Sequence, residues 1–296
     1  MPGSATGPQL INALTIDLEE YFQVSAFADA VPKEDWSSLP SRIEPQTERL
    51  LALLEQGGAH ATFFVLGWVA ERHPALIRRI AAAGHEIASH GWAHVRVSDQ
   101  RPEEFAEDVR RSRELLEGIA GVEVRGYRAA SFSIDHRTVW AFELLAEAGY
   151  RYSSSVYPIR HDHYGWPEAP RLPFRPSPAG VPEIPIATVR LFGGNRPCGG
   201  GGYFRLFPYA LSCRGLRRFN EREDAPAVFY LHGWELDPDQ PIPTGIGARA
   251  RLRHRLNLGR MEGRLQRLLG DFRWGRMDEV FRDLANGLAA PVARAP

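Results

Sequence analysis

Short apolar runs rich in β-branched and aromatic residues alternate along this chain with longer stretches in which apolar residues recur every three or four positions. The short runs predict strands at 11–17, 61–67, 85–90, 122–130, 150–155, 182–189, 226–232 and 271–275. The helical stretches carry their own punctuation. Pro74 suits a first helical turn and Gly84 its stop, and a helix over 137–148 ends at Gly149. Strands alternating with helices predict an α/β fold built on a parallel sheet, open or closed into a barrel. Two irregular segments rich in Pro and Gly, 157–182 and 191–202, are expected as loops that wall a substrate groove. With 296 residues and 44% hydrophobic content the chain can bury a large core, and a single domain over 1–296 is expected.

Polar residues fall at revealing places in this pattern. Asp17, His90 and His232 end predicted strands, and Arg128 lies near the end of another. In a (β/α) barrel the carboxyl ends of the strands meet on one face, so these residues are expected to form one composite site. His90 and His94 stand four apart, a spacing that puts both imidazoles on the same side of a helical turn, where they can grip one metal ion. The acidic cluster Asp17, Glu19 and Glu20 offers a third ligand, completing the open two-histidine, one-carboxylate set of a zinc-type catalytic site. Strand alternation sends Asp17 and Glu19 to one side and Glu20 to the other. One carboxylate can then bind metal while another takes a proton, with Glu19 and Glu20 both open as the third ligand. A fixed Arg128 guanidinium can hold Asp17 ionised, and His232 can protonate a leaving nitrogen. Together these residues predict metal-assisted hydrolysis.

Composition narrows the partners. The formal net charge is zero, so no global field recruits nucleic acid or an acidic membrane, and a neutral substrate fits better. Lys33, the sole lysine, lies in a polar stretch, which excludes Schiff-base chemistry and a phosphate-cradling P-loop. Cys198 and Cys213 are too few for a disulfide framework, though one bridge stays open. Residues 1–10 lack the pattern of a secretory signal and no run of about 18 apolar residues occurs; a cytoplasmic protein without a membrane span is expected. The stretch 249–267 holds seven arginines against Glu262 and is expected as one amphipathic helix on the barrel wall. His161 and His163 are expected to be solvated loop residues.

Four segments in order resemble the motifs of the polysaccharide deacetylases of the chitooligosaccharide deacetylase type: Thr15-Ile16-Asp17-Leu18-Glu19, His90 to His94, Arg128 to Phe132, and Leu231-His232. Longer matches, at 17–24, Gly200-Gly201-Gly202-Tyr203-Phe204-Arg205 and 231–238, with a tail over 262–272, resemble a subgroup associated with bacterial exopolysaccharide and exosortase loci. The resemblance implies a distorted parallel (β/α) barrel of seven or eight strands, with 191–296 including a subgroup-specific extension. It implies removal of N-acetyl groups from an amino sugar of an exopolysaccharide; because no export signal is read, that substrate is expected as a lipid-linked precursor at the inner face of the membrane. By resemblance, Glu19, His90 and His94 hold a divalent metal, zinc by expectation, while Asp17 is the base, His232 the acid and Arg128 the partner of Asp17. A backbone N–H near Ser131 would face the oxyanion, and the motif aromatics Phe132, Tyr203 and Trp234 are expected to contact the sugar. The chain departs from the family pattern at Leu18, which separates two acids that are usually adjacent, as in a branch acting on peptidoglycan or cyclic amides. It departs also at Ala130 and Gly233, where prolines are common, and at Ser153, where an aspartate usually tunes the acidic histidine; Glu235 and Asp237 are the candidates to replace it. A linear or cyclic amide hydrolase and a non-catalytic carbohydrate-binding barrel are the alternatives on the same fold.

Overall fold

Strand and helix alternate as the apolar pattern predicts, and the strands assemble into one curved parallel sheet. The computed structural model describes residues 10–162, 164–288 and 293–294. In chain order the elements are β1 (Ile11–Leu18), α1 (Ile43–Gln56), β2 (Thr62–Val65), α2 (Gly67–Arg72), α3 (Pro74–Ala82), β3 (Glu86–Ser89), α4 (Pro102–Ala120), β4 (Gly126–Tyr127), α5 (Ala141–Glu147) and β5 (Tyr152–Ser153). There follow β6 (Phe174–Arg175), β7 (Thr188–Leu191), β8 (Gly194–Pro197), α6 (Gly201–Leu206), α7 (Tyr209–Glu223), β9 (Val228–His232), α8 (Ala248–Arg255), α9 (Met261–Asp271) and β10 (Arg273–Gly275).

The main sheet runs β10-β1-β2-β3-β4-β5, with β9 on the other flank of β1. Its pairings are all parallel. β10 takes the first half of β1, Ile11 to Ala13, and β2 takes the second half, Thr15 to Leu18. The gap between β5 and β9, where a strand over 182–189 is expected, is closed differently. Residues 183–187 are stitched to both sides, Ile184 N donating to Ser153 O at 2.8 Å and Ala187 N to Val228 O at 3.2 Å. Pro182 and Pro185 have no N–H to give, so a regular ladder cannot form there. The result is the distorted parallel (β/α) barrel. The expected irregular segment 191–202 holds instead the turn and second strand of the antiparallel hairpin β7–β8.

Both faces of the sheet are buried, which is why β1, β2 and β9 read as nearly continuous apolar runs. Leu14, Ile16, Phe63, Val65, Ile87, Phe229 and Leu231 face outward into a core shared with the surrounding helices. Ala13, Phe64, Ala88, Val228 and Tyr230 face the barrel interior. Side chains alternate with period two, so the interior parity that begins at Ala13, Ala88 and Val228 places Asp17, His90 and His232 at the barrel mouth. A one-residue slip in register would turn all three outward.

The arginine-rich stretch 249–267 is two helices, not one. Asn257 adopts a left-handed conformation, φ 54°, between them. In α8 His254 is the buried residue, whereas α9 buries Leu265, Leu268 and Leu269. Cys198 and Cys213 are free and buried, so no bridge joins them. No helix of the described residues is long and apolar enough to cross a membrane. Residues 1–9, which carry most of the segment read for an export signal, lie outside the described residues.

Candidate active site

The mouth of the barrel gathers Asp17, Glu19, His90, His94, Arg128 and His232. Register accounts for part of this, because Asp17 of β1 lies directly beside His232 of β9. The histidine pair is held by a loop rather than by the helical turn its spacing suggested. His90 follows β3, Gly91 turns the chain at φ 75°, and His94 itself sits at φ 51°. Asp108 of α4 accepts a hydrogen bond from Trp92 N at 3.0 Å, and Gly67 N and Trp68 N donate to Gly91 O and Trp92 O. The loop is thus pinned from two helices, and the imidazoles reach each other with ring centroids 5.3 Å apart.

Ligand atoms of Glu19, His90 and His94 all lie within 4.8 Å of one another. Glu19 Oε2 is 3.0 Å from His94 Nε2, yet it is enclosed and has no aligned hydrogen-bond donor. His90 Nδ1 donates to Arg128 O at 2.8 Å, which fixes the tautomer and leaves its Nε2 with a lone pair. A buried carboxylate and imidazole nitrogens that do not satisfy each other fit a divalent cation. Glu20 is elsewhere: it accepts hydrogen bonds from Ser41 Oγ and from Arg42 N at the start of α1. Of the two candidate third ligands the structure therefore presents Glu19. Burial pushes the Glu19 carboxyl up, but His94, His232 and His90 outweigh it and hold the group well below the usual carboxylate range. Burial lowers His90 to about 4, so its ring is neutral, as a ligand must be.

Arg128 is fully buried, and each of its three nitrogens donates. Its NH1 group donates to Asp17 Oδ1 at 2.7 Å and Thr15 Oγ1 at 2.8 Å, and its remaining nitrogens to Ser154 O and Ser154 Oγ. The guanidinium also lies 4.0 Å over the Phe64 ring. Asp17 is thereby held by one oxygen, while Oδ2 faces His232 Nε2 at 3.9 Å. His232 Nε2 is also 3.6 Å from Glu19 Oε1. Burial alone would lower the His232 imidazole, but the carboxylates of Glu19, Glu235 and Asp17 overcome it and push it up to about 9.

Ser153, buried beneath the site, brings no charge; Glu235 supplies it. Glu235 Oε2 lies 3.7 Å from His232 Nδ1 and accepts from His232 N at 3.1 Å. Its other oxygen is clamped by Arg205 Nε at 2.8 Å, and the Arg205 NH1 group donates to the carbonyls of His254 and Leu256, each at 2.8 Å. Burial is again outweighed, here by Arg205 and His232, and Glu235 falls to about 2. Asp237, the other candidate, is committed to Arg42 Nε and Gln46 Nε2. The supporting residues Thr15, Ser154 and Arg205 carried no signal beyond their parity or their place in a glycine-rich motif.

The three expected sugar-contacting aromatics differ. Trp234 is a correction: it is buried, its ring stacks under His232 at 4.9 Å, and its Nε1 donates to Glu19 Oε1 at 3.2 Å. It backs both His232 and Glu19. Phe132 is also buried, edge-on to Tyr230 and Tyr157. Tyr203 is half-buried and stacks on Phe207. His161 stacks on Tyr164 at 3.9 Å, and His163 lies outside the described residues.

Residues 34–153 match the family model Polysaccharide deacetylase, and residues 154–282 match Domain of unknown function (DUF3473). Residues 34–153 thus carry a polysaccharide deacetylase domain. Asp17, Glu19 and His232 fall outside the deacetylase match, whereas His90, His94 and Arg128 fall within it. Peptidoglycan-N-acetylglucosamine deacetylase of Bacillus cereus is 32% identical over 98 residues, 33% of this chain and 36% of that protein. Chitooligosaccharide deacetylase of Bradyrhizobium sp. is 27% identical over 144 residues, 49% of this chain and 60% of that protein. The match thus spans 36% and 60% of these two relatives. Among solved structures, a Mycobacterium smegmatis protein classed with the polysaccharide deacetylases covers 100% of this chain and 97% of its own, with a TM-score of 0.60 at 21% identity. That likeness concerns the fold.

Proposed function

We propose that this polysaccharide deacetylase domain hydrolyses N-acetyl groups of amino sugars, with a bacterial exopolysaccharide as the polymer and a divalent metal, zinc by choice of ligands, as cofactor. The observation that carries the reading is the enclosed cluster of Glu19, His90 and His94 beside an Arg128-held Asp17 and a His232 poised between carboxylates. An ion held by Glu19, His90 and His94 supplies Lewis acidity to the acetyl carbonyl and lowers the pKa of a nearby water.

The chain's own groups do the rest. Arg128 holds Asp17 by Oδ1 and leaves Oδ2 to take the proton of the attacking water. His232, held protonated by Glu19, Glu235 and Asp17, gives its proton to the departing sugar nitrogen. The oxyanion is met by a backbone N–H near Ser131, a residue set at φ 54° where the chain turns after Ala129. Trp234 and the Arg205–Glu235 pair hold the imidazole in place, and Tyr203 offers its ring to the sugar. Acetate and a free amine leave.

The experiment is acetate release from N-acetylglucosamine oligomers by metal-loaded and metal-stripped protein. Release that depends on the metal supports the reading. Ring opening of a cyclic imide without acetate release would favour the related amide hydrolysis, and oligomer binding without release would favour a binding-only barrel.

A further inference from the structure

The turn between β7 and β8 breaks a local rule. Leu191 pairs with Gly194, leaving the two-residue loop Phe192-Gly193, with φ 52° and 76°. Two positive φ values in a two-residue hairpin define the turn that favours Asn, Asp or Gly at its first position. A bulky aromatic side chain in the left-handed region crowds its Cβ against the following carbonyl oxygen and strains the backbone. Phe192 recovers none of this by burial, since it is 97% exposed. A residue that strains the backbone and leaves an aromatic ring in water contributes nothing to folding, which directs attention to a ligand.

Beside the turn, the hairpin and the segment 159–172 enclose a cavity of about 660 Å³, lined by Arg160, Arg171, Arg190, Asn195 and Arg196 and by the Gly193 and Gly194 positions. The size suits a small-molecule or saccharide subsite. Four arginines meet two glutamates, Glu168 and Glu223, and Glu223 is already taken by Arg171 NH2 at 2.8 Å. Among the described residues Arg160, Arg190 and Arg196 have no ion-pair partner. In a chain of zero net charge, four arginines against two glutamates on the lining of one cavity give it a local positive excess that favours an anion, which a guanidinium's planar fork binds bidentately. Ile159, on the cavity wall, packs in the same apolar cluster as Phe132, Tyr157 and Tyr230 of the barrel mouth.

We propose that this cavity is a binding subsite for an anionic sugar, the arginines engaging its carboxylate or phosphate and Phe192 offering a ring to the sugar's apolar face. It rests on the deacetylase reading only in taking the ligand to be a saccharide, and it narrows the polymer to one with acidic residues.

Isothermal titration calorimetry tests it without turnover, so failure of the deacetylase reading leaves the result interpretable. The probes are tetragalacturonate, glucose 6-phosphate and neutral N-acetylchitotetraose, against wild type, R190A/R196A and F192S. At low salt wild type binds one of the two anionic probes, and which one identifies carboxylate or phosphate as the recognised group. Affinity for that probe falls at least tenfold in R190A/R196A and with added salt, and severalfold in F192S, with unchanged melting temperature and unchanged affinity for the neutral oligomer. Absence of binding to both anionic probes by wild type, or equal affinity in R190A/R196A, overturns the proposal.

Discussion

Asp17→Asn separates the proposed base from its structural duties. Asp17 Oδ1 accepts the Arg128 hydrogen bond at 2.7 Å, and an asparagine oxygen can accept it too, so the shape of the site survives. The charge does not. A charge-assisted bond becomes one to a neutral acceptor inside the barrel, a loss of about 1–2 kcal/mol. Complete loss of the partner to a buried arginine costs more, about 3–5 kcal/mol, but the bonds from Arg128 to Thr15 and Ser154 remain. A destabilisation of about 1–3 kcal/mol lowers the melting temperature by roughly 2–10 °C at this chain length. Turnover should fall far more, by on the order of 100-fold to 10,000-fold for a lost general base, which is about 2.7–5.4 kcal/mol of barrel-mouth chemistry. Asp17 is outside the Glu19, His90, His94 set, so metal content should stay at one ion per chain. The assay pairs acetate release with elemental mass spectrometry and thermal melting on the same preparation. Turnover within a few-fold of wild type in a fully loaded variant would refute Asp17 as the base, and loss of the ion would make it a ligand.

His90→Ala with His94→Ala should abolish binding of a divalent ion measured after dialysis, with the barrel still folded by circular dichroism; an ion retained in the double variant sinks the site. Glu235→Gln removes the charge facing Arg205, a side chain 4% exposed, but leaves an amide oxygen to accept and the bonds from Arg205 to the His254 and Leu256 carbonyls, so it should cost about 1–3 kcal/mol in urea melts; E235Q/R205M should recover part of that, and strict additivity of the two changes would deny the coupling. Stability should also depend on His85, whose ring burial lowers to about 4, with His60 and Arg276 adding to the effect. Because the unfolded histidine takes up a proton near pH 6.5 and the folded one does not, stability is full above that pH and erodes as pH falls toward 4, by up to about 3 kcal/mol. His85→Asn keeps an acceptor for Ala61 N, which His85 Nδ1 now serves at 3.2 Å, and should flatten that slope; an unchanged slope assigns the acid sensitivity to other groups.

The parts of this site that were legible from sequence are those governed by strand periodicity. Asp17, His90 and His232 end runs whose apolar residues fix the register, so their convergence follows from parity once a barrel is assumed. His94 was legible for a wrong reason: spacing suggested a helical turn, but Gly91 at φ 75° and the Asp108 anchor on Trp92 N build a loop that brings the same two rings together. Sequence could not say that the missing charge at Ser153 is supplied by Glu235. That answer depends on Arg205, thirty positions earlier in a glycine-rich motif, clamping Glu235 at 2.8 Å while also holding the carbonyls that end α8. The substitution is tertiary, and it ties His232 through Glu235 and Arg205 to α6 and to the end of α8, all within the segment that matches DUF3473. Gly201 makes the arrangement possible, since a Cβ there would stand 1.9 Å from Glu235 Oε2. The glycine run reads as a flexible loop in isolation, yet at Gly201 it is the space into which the buried carboxylate fits. An alanine at this position must displace either α6 or Glu235, and with it the charge facing His232.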